Sequence, residues 1–179
     1  MQKFYRMALV LVMSCVGTFT WAETKMAVID TQTVLFKSLA AEDATNQLRE
    51  LLSDHQARLK ELEQGIETRK NRLETDAEIL TEEEKQGFVQ EINQYQSEAA
   101  RINAQIQQAQ QKSRAEFIRY YQPAISSIVE EYVEKEKIDV VLDSQAVIWN
   151  GAALTDITQP VLEAFDQRFS EQNTDAANE

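Results

Sequence analysis

The sequence predicts an α+β protein: a long antiparallel coiled-coil hairpin projecting from a small β-strand base that assembles with further copies. Three observations carry this. Residues 41–137 contain no proline before Pro123 and only two glycines, Gly65 and Gly87. Apolar residues there, with the polar His55 and Arg69 counted into the first series, recur in alternating steps of four and three, the spacing of a coiled-coil seam. The flanks carry short apolar runs with β-branched pairs, too small a sheet to stand singly.

Composition narrows the function classes. Hydrophobic residues make up 43% and charged residues 27%, as in a folded soluble chain. With 4 glycines and 2 prolines, long uninterrupted helices are favoured. The formal net charge of -12 argues against nucleic-acid binding, which needs a basic face.

Residues 1–22 read as a secretory signal. Lys3 and Arg6 supply the positive start, Met7 to Phe19 the apolar run, and Thr20-Trp21-Ala22 the small residues at the two positions read for cleavage after Ala22. A retained anchor and a lipoprotein signal through Cys15 are the alternatives. Cleavage removes Cys15, so the processed chain forms no disulfide. It also leaves 16 basic against 30 acidic residues, a formal charge of -14.

Residues 23–40 and 138–169 form the expected base. Met26 to Ile29 reads as a buried strand, Asp30 as a capping residue, and Val34-Leu35-Phe36 as part of a short helix. A first long helix is predicted from about Ala41 to Leu80. Its seam is Leu48, Leu52, His55, Leu59, Leu62, Ile66, Arg69, Leu73, Asp76 and Leu80. Polar seam residues such as His55, Arg69 and Asp76 loosen packing or fix register. Thr81-Glu-Glu-Glu84 is a capping box, so the hairpin tip falls within 76–85.

The second long helix is predicted from Glu82 to about Lys137. Its seam is Phe88, Ile92, Tyr95, Ala99, Ile102, Ile106 and Ala109. The glutamine-rich run 103–112 packs weakly. After Ser113 the stripe shifts phase to Phe117, Tyr121, Ile125, Ile128 and Tyr132, which returns the helix to the base. Strands are predicted at 138–143 and 146–149, then an amphipathic helix capped by Thr158 with Ile157 as staple. Residues 170–179 read as a disordered tail.

Little chemistry is visible. His55 is the only histidine, no cysteine survives cleavage, and no Gly-rich phosphate loop exists. The chain is read as no enzyme, with no metal and no cofactor. A long arm with an incompletely apolar seam instead offers surface, either for unfolded chains or, as the alternative, for docking one folded partner in an envelope adaptor role.

Taken in order, Lys25-Met-Ala-Val-Ile-Asp30, the hairpin, Ile138-Asp-Val-Val-Leu-Asp143, Ala146-Val-Ile-Trp149 and Asp156-Ile-Thr with Val161-Leu162 resemble the Skp (OmpH) family of periplasmic chaperones. The resemblance spans the whole processed chain. It implies a homotrimer with a shared β base and three helical arms enclosing a cavity for unfolded outer-membrane proteins, without ATP. It implies that Met26, Val28, Ile29, Val140, Leu142, Val147 and Ile148 carry the trimer base. Apolar arm residues would face the client: Leu59, Leu62, Ile66, Leu73, Phe88, Ile92, Tyr95, Ile102 and Ile106. Well-known members are basic with positive tips. Here Asp76, Glu78, Glu82, Glu83 and Glu84 crowd the tip, which puts lipopolysaccharide or anionic-membrane contact in doubt.

Overall fold

The computed structural model describes residues 24–148 and 154–176. The expected leader, its cleavage site, Trp149 and the Asn150-Gly151 turn lie outside the described residues. Strand β1 (Met26–Ile29) leads into helices α1 (Thr31–Phe36), α2 (Leu39–Leu51), α3 (Ser53–Thr75) and α4 (Glu82–Glu136). Strand β2 (Val140–Asp143), a 3-10 turn (Ser144–Ala146), strand β3 (Leu154–Asp156) and helix α5 (Thr158–Ala176) follow.

β1 is the central strand and runs parallel to both neighbours, in the order β2-β1-β3. Met26 stands opposite Val140 and Leu154, and Val28 opposite Leu142 and Asp156. Parallel strands need a crossover, and here the β1–β2 crossover is the whole arm. Its two ends are tied together at Lys25. The Lys25 backbone N–H donates to Asp139 Oδ2 at 2.8 Å, and the Asp139 N–H donates back to the Lys25 carbonyl at 2.8 Å. Lys25 Nζ donates to the Glu136 carbonyl at the end of α4 (2.6 Å), where a helix's partial negative charge favours a cation.

The core lies on the helix side of the sheet. Ala27 and Ile29 meet Val34, Leu35, Ala40, Phe117, Ile125, Ile128, Ile138, Ile157, Val161 and Phe165. The phase shift expected after Ser113 is what turns Phe117, Ile125 and Ile128 into this core. Phe117, Tyr121, Phe165 and Phe169 stack through it, with Tyr121 5.6 Å from Phe165 in edge-on geometry. Burial pushes the Tyr121 phenol up from its ordinary pKa. Helix α5 is strapped on at two points. Asp166 Oδ1 accepts from the Leu39 N–H at the start of α2 (2.8 Å), and Arg168 meets both carboxylate oxygens of Glu131 (2.9 and 3.0 Å).

Caps form as the sequence predicts at two places. Asp30 accepts from the Thr33 N–H (2.8 Å) and hydroxyl (2.9 Å), which hold its carboxyl below the usual range. Thr81 and Glu84 make both bonds of the capping box.

Four expectations need correction. The first long helix is broken at Leu52 and ends at Thr75, because a turn closed by Asp76, whose carbonyl accepts from Ile79 and Leu80 (3.0 Å), replaces its last residues. No strand forms over 146–148. Asp143 Oδ1 accepts from the Gln145 N–H (2.8 Å) and starts a 3-10 turn, and the third strand is Leu154–Asp156. Thr158 does not cap α5. Its N–H donates to Asp156 Oδ1 (2.9 Å), while its Oγ1 accepts from the Asp30 N–H (2.9 Å). The expected disordered tail is helical to Ala176, carried by side-chain bonds such as Gln167 to Glu171 (3.0 Å).

Candidate binding surfaces

Alternation along the strands divides the sheet into two faces. Ala27, Ile29 and Val141 turn to the helices. Met26, Val28, Val140, Leu142 and Leu154 share the other face, with Asp156 at its β3 end. On it Val140 is 39% and Leu142 37% exposed, far more than edge strands of a finished core show. β2 and β3 are each paired on one side only within the described chain. An apolar face between two open edges is a template for a further copy.

Four of the seven residues expected in a trimer base therefore lie together: Met26, Val28, Val140 and Leu142. Ile29 belongs to the opposite face and is sealed in the subunit's own core. Val147 and Ile148 follow the 3-10 turn, outside any strand, and Ile148 is fully exposed. Leu154 was missed by the sequence reading. Leu-Thr-Asp is a poorer strand signal than Ala-Val-Ile-Trp, and only pairing with β1 selects it.

The arm pairs α3 with α4, and both predicted seams face inward. Leu62 is 1% exposed, Ile92 and Ile102 are buried, and Leu59, Ile66, Leu73, Phe88, Tyr95 and Ile106 are half-buried. The nine residues expected to face a client thus face the arm's other helix. The apolar side chains open to solvent stand off the seam: Leu51 at 72%, Ile79 at 81% and Tyr120 at 73%, with Val89 half exposed. Their signal in the sequence is that they are apolar where the heptad asks for polar residues. A groove of about 450 Å³ opens at the arm's root between α2 and α4, lined by Phe36, Ala41, Ala44, Leu48, Arg114 and Phe117. Arg114 lies over the Phe36 ring, 4.1 Å from its centre.

The polar seam residue Arg69 is fully engaged. Its Nε pairs with Glu91, one terminal nitrogen donates to the Gly65 carbonyl (3.1 Å), and the other donates to the Tyr95 hydroxyl (3.1 Å). Nearer the base, Arg58 makes a two-pronged bond to Glu98 (3.0 and 3.2 Å), which holds that carboxyl below its ordinary range. Arg72 lies over Phe88, 5.7 Å from the ring centre.

Gly65 permits the Arg69 arrangement. A Cβ there would sit 2.6 Å from Tyr95 Cε2 and 3.0 Å from Cδ2. Alanine favours a helix over glycine by about 1 kcal/mol. Even so, Gly65→Ala should lower the thermal midpoint, because the ring must leave its seat. Adding Tyr95→Ala should recover part of the loss, and a midpoint raised by Gly65→Ala alone would show the seat to be unimportant.

Among the described residues, no group of three or more His, Cys, Asp or Glu side chains could hold a metal ion, and no helix is long and apolar enough to cross a membrane.

Comparison with known proteins agrees with this architecture. A Skp-like protein of Pseudomonas aeruginosa is 22% identical over 171 residues, covering 93% of this chain and 99% of that protein. A crystal structure of an OmpH-like protein from Caulobacter crescentus CB15 superposes with a TM-score of 0.54 at 18% identity, over 82% of this chain and 86% of that one. Residues 25–165 match the family described as outer membrane protein (OmpH-like), and the chain belongs to that family.

Proposed function

We propose that this chain is an ATP-independent holdase of the periplasm. It assembles as a homotrimer through the open sheet face and keeps unfolded outer-membrane proteins soluble between its arms. The observation that carries the reading is the pair of unsatisfied apolar surfaces on a single chain. One is the continuous sheet face bearing Val140 and Leu142. The other is a discontinuous set along the arm and its root, with Leu51, Val89, Ile79 and Tyr120 open to solvent. The first suits permanent burial. The second suits many weak contacts with apolar segments of varied sequence. The arm's client-facing residues are then the off-seam ones rather than the seam. The acidic tip disfavours anionic lipid and lipopolysaccharide.

The test is dilution of an urea-unfolded outer-membrane β-barrel into buffer with the processed protein. Light scattering from aggregates should fall. Leu51→Ser, Ile79→Ser and Tyr120→Ser combined should remove most of that protection while leaving helix content unchanged. A folded parent trimer that leaves scattering unaltered would overturn the reading. In-cell crosslinking to one stoichiometric folded partner would favour the adaptor role instead.

A further inference from the structure

The groove at the arm's root owes its space to small side chains. Ala41 and Ala44 line it from α2 and Ser113 from α4, and none is large enough to close the gap. Phe36, Leu48 and Phe117 supply its apolar walls. Among the lining residues Arg114 alone is charged. Its guanidinium lies on the Phe36 ring rather than on an acid. Arg58, Arg69, Arg72 and Arg168 each pair with a carboxylate, but Arg114 has no such partner among the described residues. The sequence shows why. Three and four residues away on its own helix stand Gln110, Gln111, Phe117 and Ile118, and the α2 residues lining the groove are two alanines, Thr45 and Leu48.

The surroundings are basic, in a chain with 30 acidic and 18 basic residues. A neighbouring groove shares Phe36, Ala41 and Thr45 with this one and adds Lys37 and Arg49 against a single acid, Glu42. Charge complementarity therefore favours an occupant with a carboxylate. A guanidinium lying on an aromatic face still presents N–H groups at its edge, and these match a carboxylate two by two. The carboxylate must lie close to the occupant's apolar part, because Arg114 is packed on the groove's own wall, 4.1 Å from the Phe36 ring centre. In an extended segment adjacent side chains point to opposite faces, and side chains on the same face stand roughly 7 Å apart. An internal Asp or Glu is thus poorly placed to reach Arg114 from beside an apolar side chain held in the groove. The last residue of a chain is well placed, since its side chain and its carboxylate branch from one Cα.

We infer that the groove holds the carboxyl-terminal residue of an unfolded chain that ends in an apolar side chain. The side chain lies among Ala44, Leu48 and Phe117, and the terminal carboxylate pairs with Arg114. This rests on the holdase reading for the source of the occupant. It adds one site selective for a chain end to contacts that are otherwise indifferent to sequence.

The test is fluorescence anisotropy of labelled peptides titrated with the processed protein. The probe is fluorescein-Gly-Ser-Leu-Ser-Leu with a free carboxyl end. Its carboxamide twin should bind about tenfold more weakly, as loss of a hydrogen-bonded charge predicts. Arg114→Gln, at an exposed position, should weaken the free acid by a similar factor and leave the carboxamide unchanged. Ala44→Leu, which fills the groove, should weaken both. A carboxamide with glutamate in place of the second serine should bind no better than the plain carboxamide. Three results would each overturn the inference: equal binding of acid and carboxamide, a glutamate carboxamide as tight as the free acid, or an Arg114→Gln chain of parental helix content that binds the acid as the parent does. Suppression of client scattering is measured alongside. A parent that suppresses scattering without telling the peptides apart loses this inference alone. One that binds the free acid selectively but leaves scattering unaltered loses the holdase reading alone.

Discussion

In size-exclusion chromatography with light scattering the parent should give the mass of three subunits, and a chain carrying Val140→Asp and Leu142→Asp the mass of one. Both side chains project from the sheet face that the helices do not cover. In a trimer closed through that face, six carboxylates would converge on an apolar centre. An unpaired ion taken out of water costs several kcal/mol even after relaxation, and the strand residues described on that face, Met26, Val28, Val140, Leu142, Leu154 and Asp156, include no cation to pair with it. The subunit itself should survive, because neither residue belongs to the core formed by Ala27, Ile29 and the helices. Far-ultraviolet dichroism should therefore stay near the parent's. Val140→Thr with Leu142→Thr should weaken assembly less. A double aspartate variant that remains trimeric would place the interface elsewhere.

The arm was largely legible in the sequence because its signals are local. Heptad spacing needs only neighbours three and four residues away, and the caps at Asp30 and Thr81 are read within four residues. The sheet was half legible. β1 and β2 announce themselves by β-branched runs, but β3 does not. Ala146-Val-Ile has the better strand propensity, yet Asp143 turns the chain before it can pair. Leu154–Asp156 wins because the Ile157 N–H reaches the Val28 carbonyl (2.9 Å) and Thr158 reaches Asp30. Such long-range bonds leave no local trace. The tail misled for a similar reason. Polar composition suggests disorder, but extending an existing helix costs far less than starting one.

The residues expected to face a client show a different limit. Heptad spacing marks the apolar seam residues without saying whether a partner helix covers them. In the folded arm the same periodicity that reveals those residues also consumes them. Leu51, Ile79, Val89 and Tyr120 remain outside because they break the pattern. The resemblance to a chaperone family located the arm but could not separate these two sets.

Phe165→Ala should be the most damaging single truncation in the base. The side chain is 2% exposed and meets Tyr121 edge-on at 5.6 Å, in the layer where α5 closes over α1 and α4. Truncating a buried phenylalanine costs about 3–5 kcal/mol, from lost transfer energy and the void left behind. Small domains hold only about 5–15 kcal/mol in total, so the base loses a large share of its stability. At roughly 2 kcal/mol per molar urea the midpoint should fall by about 2 M. Protein concentration must be matched, since an assembling chain gains stability by mass action. Phe169→Ala, at a half-buried neighbour, should cost clearly less, and Val89→Ala on the arm's open surface should cost almost nothing. A Phe165→Ala midpoint within about 0.5 M of the parent would mean that α5 is not the strap holding the base closed.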